Sequence, residues 1–567
     1  MSDAFPTRPA GPTSKERKYD RQLRLWAASG QQALENSKIL LINSDGSLDA
    51  HSASVTGVVG VETLKNLVLP GVGGFTIVDP TNVTESDLGV NFFLDEGSLG
   101  KSRAQETCKF LCELNPDVEG DFSDKTIGEL LKEPAFLKSF TIIIITAPMR
   151  QTTLKIIADA ARELSIPLIY THSVGFYSSF SLQLPAVFPI VETHPDPDSI
   201  QDLRLTNPWP ELVQATQNIE DLESLDDHLH GHVPYLLLLL HYLEKWKKTH
   251  NGNVPSTYKE KTEFREMVRD AQRTDNPEGG EENYDEAVAA VLKSINPFSL
   301  RSNIREIFEM EQCDTVKPAN EDFWIIASAV KAFYERHGLL PLPGSLPDMK
   351  AQSADYISLQ NIYKTKARSD VREVVDKVRT LENQLRGGTG SIPERDIEVF
   401  CKNAASIKVI HGQNIPILHP ELPVNPSTLK TIHNSLDNPD SLLPIFLATQ
   451  VLDSLVTEYQ ILSLLASTEA PRQPSLDDPI DWSRTQAKII ALLEKDGKLL
   501  DGETKTRISK AVEEVKRAGA GELHNISSLT GGLVAQEALK VLTRQYVPLD
   551  NTCVFDGISS RTEMFRL

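Results

Sequence analysis

Gly57, Gly60 and Asp79 are the residues whose types and spacing point most directly to chemistry. They surround a short helix that follows the apolar run Ile39-Leu-Leu-Ile42. A dinucleotide loop needs Gly-x-Gly-x-x-Gly directly after such a strand, so that backbone amides can approach phosphate. An acid at the end of the next strand would then take a ribose hydroxyl. Here only Gly57 and Gly60 remain, in Gly-x-x-Gly spacing, after a long Ser/Asp/Ala-rich stretch from Ser44 to Val59. Asp79 closes the run Phe75-Thr-Ile-Val78 at the ribose position. Two readings fit: a nucleotide-binding unit that has lost its nucleotide, and a structural strand–helix–strand unit that never held one.

The elements that must position these residues form a βαβ unit. Ile39 to Ile42 suits a strand buried on both faces. Val61, Leu64, Leu67 and Val68 share one helical face, and Pro70-Gly71 stops that helix. Thr141 to Thr146 (Thr-Ile-Ile-Ile-Ile-Thr) and Ile166 to Thr171 continue as strands around a helix from Gln151 to Leu164. Phe180 to Leu184 and Val187 to Val191 read as two further strands. This alternation predicts a mainly parallel sheet. Tyr19 to Gln32 and Lys101 to Leu114 read as helices; in the first, Leu23 and Trp26 turn inward while Arg21 and Arg24 project.

From about Leu205 the character changes. Asn207-Pro-Trp-Pro210 reads as an extended linker. Amphipathic helices follow, among them Val233–Lys247, Tyr258–Ala271, Asp285–Ser294, Phe323–His337 and Asp355–Leu385. The sheet signature returns with a helix over Leu529–Leu542 and a strand over Thr552–Asp556. The expected organisation is a disordered arm at 1–18, an α/β domain at 19–205 and 516–567, and a large mainly helical insertion at 206–515.

The chain has 567 residues, enough for several domains, and a formal net charge of −21, which argues against nucleic-acid and anionic membrane surfaces. Its five cysteines are scattered, with no Cys-x-x-Cys, as in a reducing compartment. A cytoplasmic or nuclear location is expected, with no clear targeting signal. Cys108 and Cys112 suit core packing more than metal, and no metal site is expected. The run Leu236–Leu240 is far too short to span a bilayer.

Several longer motifs carry a resemblance. Lys-Tyr-Asp-Arg-Gln-Leu-Arg-Leu-Trp at 18–26, Leu-Lys-Asn-Leu-Val-Leu-Pro-Gly at 64–71 and Gly-Gly-Leu-Val-Ala-Gln-Glu-Ala-Leu-Lys at 531–540 resemble signatures of the activating enzymes of ubiquitin-like proteins. His-Pro-Asp…Asp-Leu-Arg-Leu at 194–205 and Leu-Pro-Asp-Met…Tyr-Ile-Ser-Leu-Gln-Asn-Ile-Tyr at 346–363 are similar to the regulatory-subunit branch of the neddylation pathway. The resemblance implies a Rossmann-like, ThiF/MoeB-like adenylation domain interrupted by the helical insertion. It also implies an obligate heterodimer. A catalytic partner subunit holds ATP and magnesium, adenylates the modifier and takes it as a thioester, while this chain binds no cofactor.

Active members carry features that this chain replaces. Their Val-Glu-x-Ser-Asn-Leu-Asn-Arg-Gln becomes Val83-Thr-Glu-Ser-Asp-Leu-Gly-Val-Asn91, with Val90 for the Arg that reaches ATP. Their Gly-x-x-Lys-Ala becomes Gly100-Lys-Ser-Arg-Ala104, with Arg103 for the Lys. Their magnesium-binding Asp has no counterpart between Thr141 and Arg150. Phosphoryl chemistry needs cations and a metal ligand at the developing charge. Gly57, Gly60 and Asp79 are then a vestigial nucleotide site, and no catalytic residue is expected. Cys401 is the least unsuitable nucleophile, on what reads as a buried helix. The resemblance gives Arg21 a contact across the dimer to the partner's triphosphate. It places partner contacts at His232, Asp348, Met349, Tyr356, Ile357, Leu359, Gln360 and Asn361. The stretch Asp45–Ser54 is expected to be disordered. It lengthens the loop by roughly ten residues beyond a usual βα connection. The alternatives are a self-sufficient adenylating enzyme, a dinucleotide-dependent oxidoreductase and a pure protein-binding scaffold.

Overall fold

The computed structural model describes residues 13–46, 57–133, 135–196, 202–219, 222–274, 280–319, 321–419, 422, 424–465 and 479–567. Contacts divide the chain into two compact units, one of residues 1–188 with 410–567 and one of residues 189–409.

The first unit is built on one eight-stranded sheet. Its helices include α1 (Ser14–Lys18), α2 (Asp20–Glu35), α3 (Val58–Val68), α4 (Arg103–Leu114), α5 (Gln151–Glu163), α6 (Leu443–Leu465), α7 (Gly502–Ala518) and α8 (His524–Thr543). Its strands are β1 (Lys38–Ile42), β2 (Gly74–Val78), β3 (Glu119–Ser123), β4 (Ile142–Thr146), β5 (Leu168–Val174), β6 (Tyr177–Gln183), β7 (Thr552–Asp556) and β8 (Arg561–Phe565). The strand order is β8-β7-β6-β5-β4-β1-β2-β3. Strands β1 to β5 pair in parallel, with Ile39 opposite Phe75 on one side and Ile142 on the other. Strands β6, β7 and β8 add antiparallel neighbours. The order 3-2-1-4-5 reverses direction between β1 and β4, and α/β sheets bind ligands in the crevice at such a point.

The central strands form because their apolar runs can be covered on both faces. Ile142 to Ile145 are all buried, as are Ile39 to Ile42. Helices α3 and α8 pack together over the sheet, and Gly531 lets them meet: a Cβ there would stand 2.8 Å from the Glu62 side chain. Residues Leu443, Phe446, Val451 and Leu455 of α6 and Ile508, Val512 and Val515 of α7 share one core with Val174, Val554 and Phe565 of the sheet.

That core explains a difference from the sequence expectation. The helices of residues 426–515 cover the sheet, so the observed units divide at 188 and 410 rather than at 205 and 515. Strands β3 and β8 were not expected. Both lie at sheet edges and carry no apolar run: β3 is mostly polar and exposed, and in β8 only Phe565 is buried. The loop expected to reach Val59 ends at Gly57, because Val58 and Val59 already belong to α3. Residues 47–54 of the expected disordered stretch lie outside the described residues, whereas Asp45 is buried. Within the expected arm, Ser14–Lys18 is helical, with Thr13 and Glu16 forming a capping box; residues 1–12 lie outside the described residues.

The second unit is mainly helical. Tyr235–Thr249, Tyr258–Arg269, Glu282–Ser294, Asp322–His337 and Ser353–Arg386 are its longest helices. Trp209 of the expected linker at 207–210 belongs to its core. Pro210 starts a helix, and the buried Trp209 ring meets Tyr363 edge-on at 4.9 Å. On Ser353–Arg386, Val374 and Val378 are buried, and this helix packs on Asp322–His337 as ordinary bundle helices do. No helix among the described residues is long and apolar enough to cross a membrane.

Candidate nucleotide crevice and the Arg21 helix

The crevice between β1 and β4 brings the three expected residues together. Asn43, just beyond β1, is the hub. It donates from Nδ2 to Asp79 Oδ2 at 2.9 Å and accepts from Thr146 Oγ1 at 3.2 Å. Gly57 caps α3 with a positive φ of 63°, and a Cβ there would stand 2.3 Å from the Asn43 amide. At Gly60 a Cβ would stand 2.4 Å from Thr146 Oγ1 and 2.7 Å from the Leu41 side chain. Both glycines therefore let α3 sit directly on the two strands.

The amides at the start of α3 are already used. Val58 N donates to Glu522 Oε2 at 2.8 Å, and Val59 N donates to Glu522 Oε1 at 2.9 Å. Ser527 Oγ donates to the same carboxylate at 3.0 Å. A helix N-terminus favours an anion through its unsatisfied N–H groups and its dipole. In this chain that anion is its own side chain, supplied from the stretch just before α8. The geometry does not fit a nucleotide phosphate, which would meet a like charge and find the same amides occupied.

Asp79 is equally engaged. Arg103 Nε donates to its Oδ2 at 2.8 Å, and Thr81 donates to Oδ1 from N at 3.1 Å and from Oγ1 at 2.6 Å. Arg103 Nη1 donates to Asp87 Oδ1 at 2.9 Å. All three charged residues are buried. Burial works against the guanidinium charge, but Asp79 and Asp87 outweigh it and raise the Arg103 pKa above its ordinary value. Beyond β4, Arg150 Nε meets Asp45 Oδ2 at 2.8 Å. Neither Glu522 nor Asn43 was singled out in the sequence. Glu522 lies 464 positions from Val58, and no local pattern announces its contact.

Four buried thiols, Cys108, Cys313, Cys401 and Cys553, are unsuited to attack at neutral pH. Burial first, then the charges of Asp370 and Glu398, push Cys401 up to about 12. Burial likewise pushes Cys313 and Cys108 up to about 12 and Cys553 to about 11. A nucleophilic cysteine needs the opposite shift. Among the described residues, no group of three or more His, Cys, Asp or Glu could hold a metal ion.

Arg21 contrasts with the crevice. It lies in the first turn of α2, exposed, and makes no hydrogen bond or ion pair with any described residue. Its neighbour Arg24 pairs with Asp20 at 3.0 Å. Helix α2 kinks at Trp26 and Ala27, where Ala27 takes a φ of 57°. The buried Trp26 ring donates to Gln31 Oε1 at 3.3 Å, and its carbonyl accepts from Gln545 at 3.0 Å. The turn bearing Arg21 is thus held on its C-terminal side.

In the second unit the expected partner contacts fall close together. Gln352 N donates to the His232 carbonyl at 3.3 Å, and His232 Nδ1 lies 2.7 Å from the His228 carbonyl. Asp348, Ile357 and Asn361 are exposed, whereas Met349, Tyr356 and Gln360 are half-buried. Leu359 is a correction. It is buried at 1% exposure in the core with Leu203, Tyr235 and Tyr363, because it falls on the inner face of its helix, and so it offers nothing to a partner.

A split α/β sheet with a switch-point crevice and an inserted helical unit is the architecture of an adenylation-type protein, and the chain belongs to the ThiF family, whose model matches residues 19–567. Its full-length similarity is to the NEDD8-activating enzyme E1 regulatory subunits. It is 35% identical to that of Xenopus laevis over 98% of this chain and 99% of the relative. Identity to the Danio rerio protein is 35%, with the same coverage. The Arabidopsis thaliana regulatory subunit AXL is 34% identical over 97% of this chain and 99% of its own length.

Proposed function

We propose that this chain is the non-catalytic, regulatory subunit of a heterodimeric activating enzyme for a NEDD8-type modifier. The observation that carries this reading is the filled crevice. The α3 amides hold Glu522, and Asp79 is committed to Asn43, Thr81 and Arg103. The names and full-length similarity of the relatives support it. ATP and magnesium then belong to the catalytic partner subunit, which adenylates the modifier. Arg21 is this chain's contribution to that site. An exposed guanidinium with no acceptor among the described residues is suited to meet transferring phosphate charge in trans. Partner contacts in the second unit fall on His232, Asp348, Met349, Tyr356, Ile357, Gln360 and Asn361.

The test is modifier-dependent ATP–pyrophosphate exchange, measured with this chain alone and with the catalytic subunit added. Exchange in the mixture only is expected. Exchange by this chain alone would mean that the crevice opens and adenylates, and the reading would fall. Arg21→Ala in the mixture separates a subunit that completes the site from a scaffold, since a scaffold leaves exchange unchanged.

A further inference from the structure

The direction of Arg21 is set by a buried joint that the reaction itself does not require. Tyr19 is both the last cap of α1 and the first cap of α2, so its side chain is the pivot of the N-terminal helices. Its ring is 2% exposed and lies against the turn after α3. Gly71 takes a φ of 86° there, and a Cβ on it would stand 2.6 Å from the Tyr19 hydroxyl.

Asn115, just beyond α4, locks this pivot. It is 1% exposed. Its Nδ2 donates to the Tyr19 hydroxyl at 3.0 Å and to the Val68 carbonyl at 2.9 Å, so both amide hydrogens are used. Its Oδ1 accepts from Lys18 Nζ at 2.6 Å, and the same ammonium reaches Asp117 Oδ2 at 2.6 Å. One side chain therefore joins α4, the end of α3 and the pivot between α1 and α2. Arg21 follows two residues later, about 3 Å further along the helix axis. Its guanidinium has no partner among the described residues to orient it, so the backbone at Tyr19 must do so.

We infer that Asn115 is a positioning residue. Through Tyr19 it aims Arg21, and its loss lowers modifier adenylation by the partner without removing any group that touches ATP. The inference rests on the reading of Arg21 given above. Misplacement of a reacting group by about 1 Å can cost on the order of 100-fold in rate.

The experiment uses the full chain mixed with the catalytic subunit and follows exchange as a function of modifier concentration and of ATP concentration. Compared are the parent, Arg21→Ala, Asn115→Ala, the Arg21→Ala/Asn115→Ala double variant and Tyr19→Phe. Tyr19→Phe keeps the ring against Gly71 and removes only the hydroxyl, so it decides the matter if Asn115→Ala fails to assemble. Asn115→Ala is expected to lower kcat about 10-fold while KM for the modifier holds, and Tyr19→Phe to act in the same direction more weakly. The double variant is expected to be no slower than Arg21→Ala alone, since the two changes break one device. Equal losses from Asn115→Ala with and without Arg21 would overturn the inference. Unchanged exchange in both Asn115→Ala and Tyr19→Phe, beside a slowed Arg21→Ala, would also overturn it while leaving the Arg21 reading intact. Unchanged exchange in Arg21→Ala removes that reading, and this inference with it.

Discussion

The crevice at β1 and β4 and the first turn of α2 treat charge in opposite ways. In the crevice, Arg103 is divided between Asp79 and Asp87, Arg150 meets Asp45, and the α3 amides meet Glu522. On α2, Arg21 stands exposed with no described partner. A buried charge must be matched within the chain, because an unpaired one costs several kcal/mol. A cation left unmatched at the surface costs almost nothing and remains available to a second molecule. The same fold thus holds a crevice filled by its own side chains and a surface cation with no partner among the described residues.

Substitutions that probe stability should divide along this line. The largest effect is expected from Arg103→Ala, which leaves two buried carboxylates facing each other; a loss of about 3–5 kcal/mol in urea unfolding is expected. A loss under about 1 kcal/mol would mean that water enters the crevice and that it is not sealed.

Glu382 in the second unit extends the comparison to a closed loop. Burial opposes its charge. Bonds from Ser391 and Arg379 and from the Gly390 and Ile392 amides overcome this and hold its pKa down at about 2. A depressed carboxylate contributes stability that is complete above its ordinary value of 4.5 and is lost as pH falls toward 2. Glu382→Gln should flatten that part of the pH profile, with a difference from the parent on the order of 3 kcal/mol. Parallel profiles for the two proteins between pH 5 and 3 would show that the loop does not depend on that charge.

Glu522→Ala should cost about 2 kcal/mol, since it strands the Val58 and Val59 amides at a helix end that water can partly reach. Glu522→Gln should fall between, keeping acceptor geometry on one oxygen. A neutral Glu522→Ala would indicate that solvent serves those amides equally well.

Arg21→Ala should give the smallest change in unfolding free energy, within about 0.5 kcal/mol. It should nonetheless produce the largest loss of exchange in the mixture. A clear drop in its stability would reveal an internal role and erase the contrast.

Legibility in the sequence follows the same division between local and distant causes. Ile39–Ile42 and Ile142–Thr146 announce themselves because strands buried on both faces need unbroken apolar runs. The edge strand Glu119–Ser123 does not, because Glu-Gly-Asp-Phe-Ser faces solvent and pairs through its backbone alone. Gly57, Gly60 and Asp79 could be grouped from spacing. Their binding by Asn43 could not, nor could the seating of Glu522 on α3, because those contacts exist only once the chain has closed. Asn115 is ordinary in the sequence, one of many residues that end a helix, and its task comes from Tyr19 and Val68 arriving beside it. Leu359 was misplaced because a motif fixes identity at a position but not which way a helix turns it.

The place of β7 in the sheet bears on how the protein is made. Ser181 of β6 and Thr552 of β7 bond across the ladder at 2.9 Å and lie 371 positions apart. During synthesis the edge of β6 therefore stays without this neighbour until the 371 positions between them have been made. Such an unpaired edge is a template for wrong pairing between nascent chains. The protein's yield in cells should therefore depend on chaperones that shield β6 while the second unit is being made.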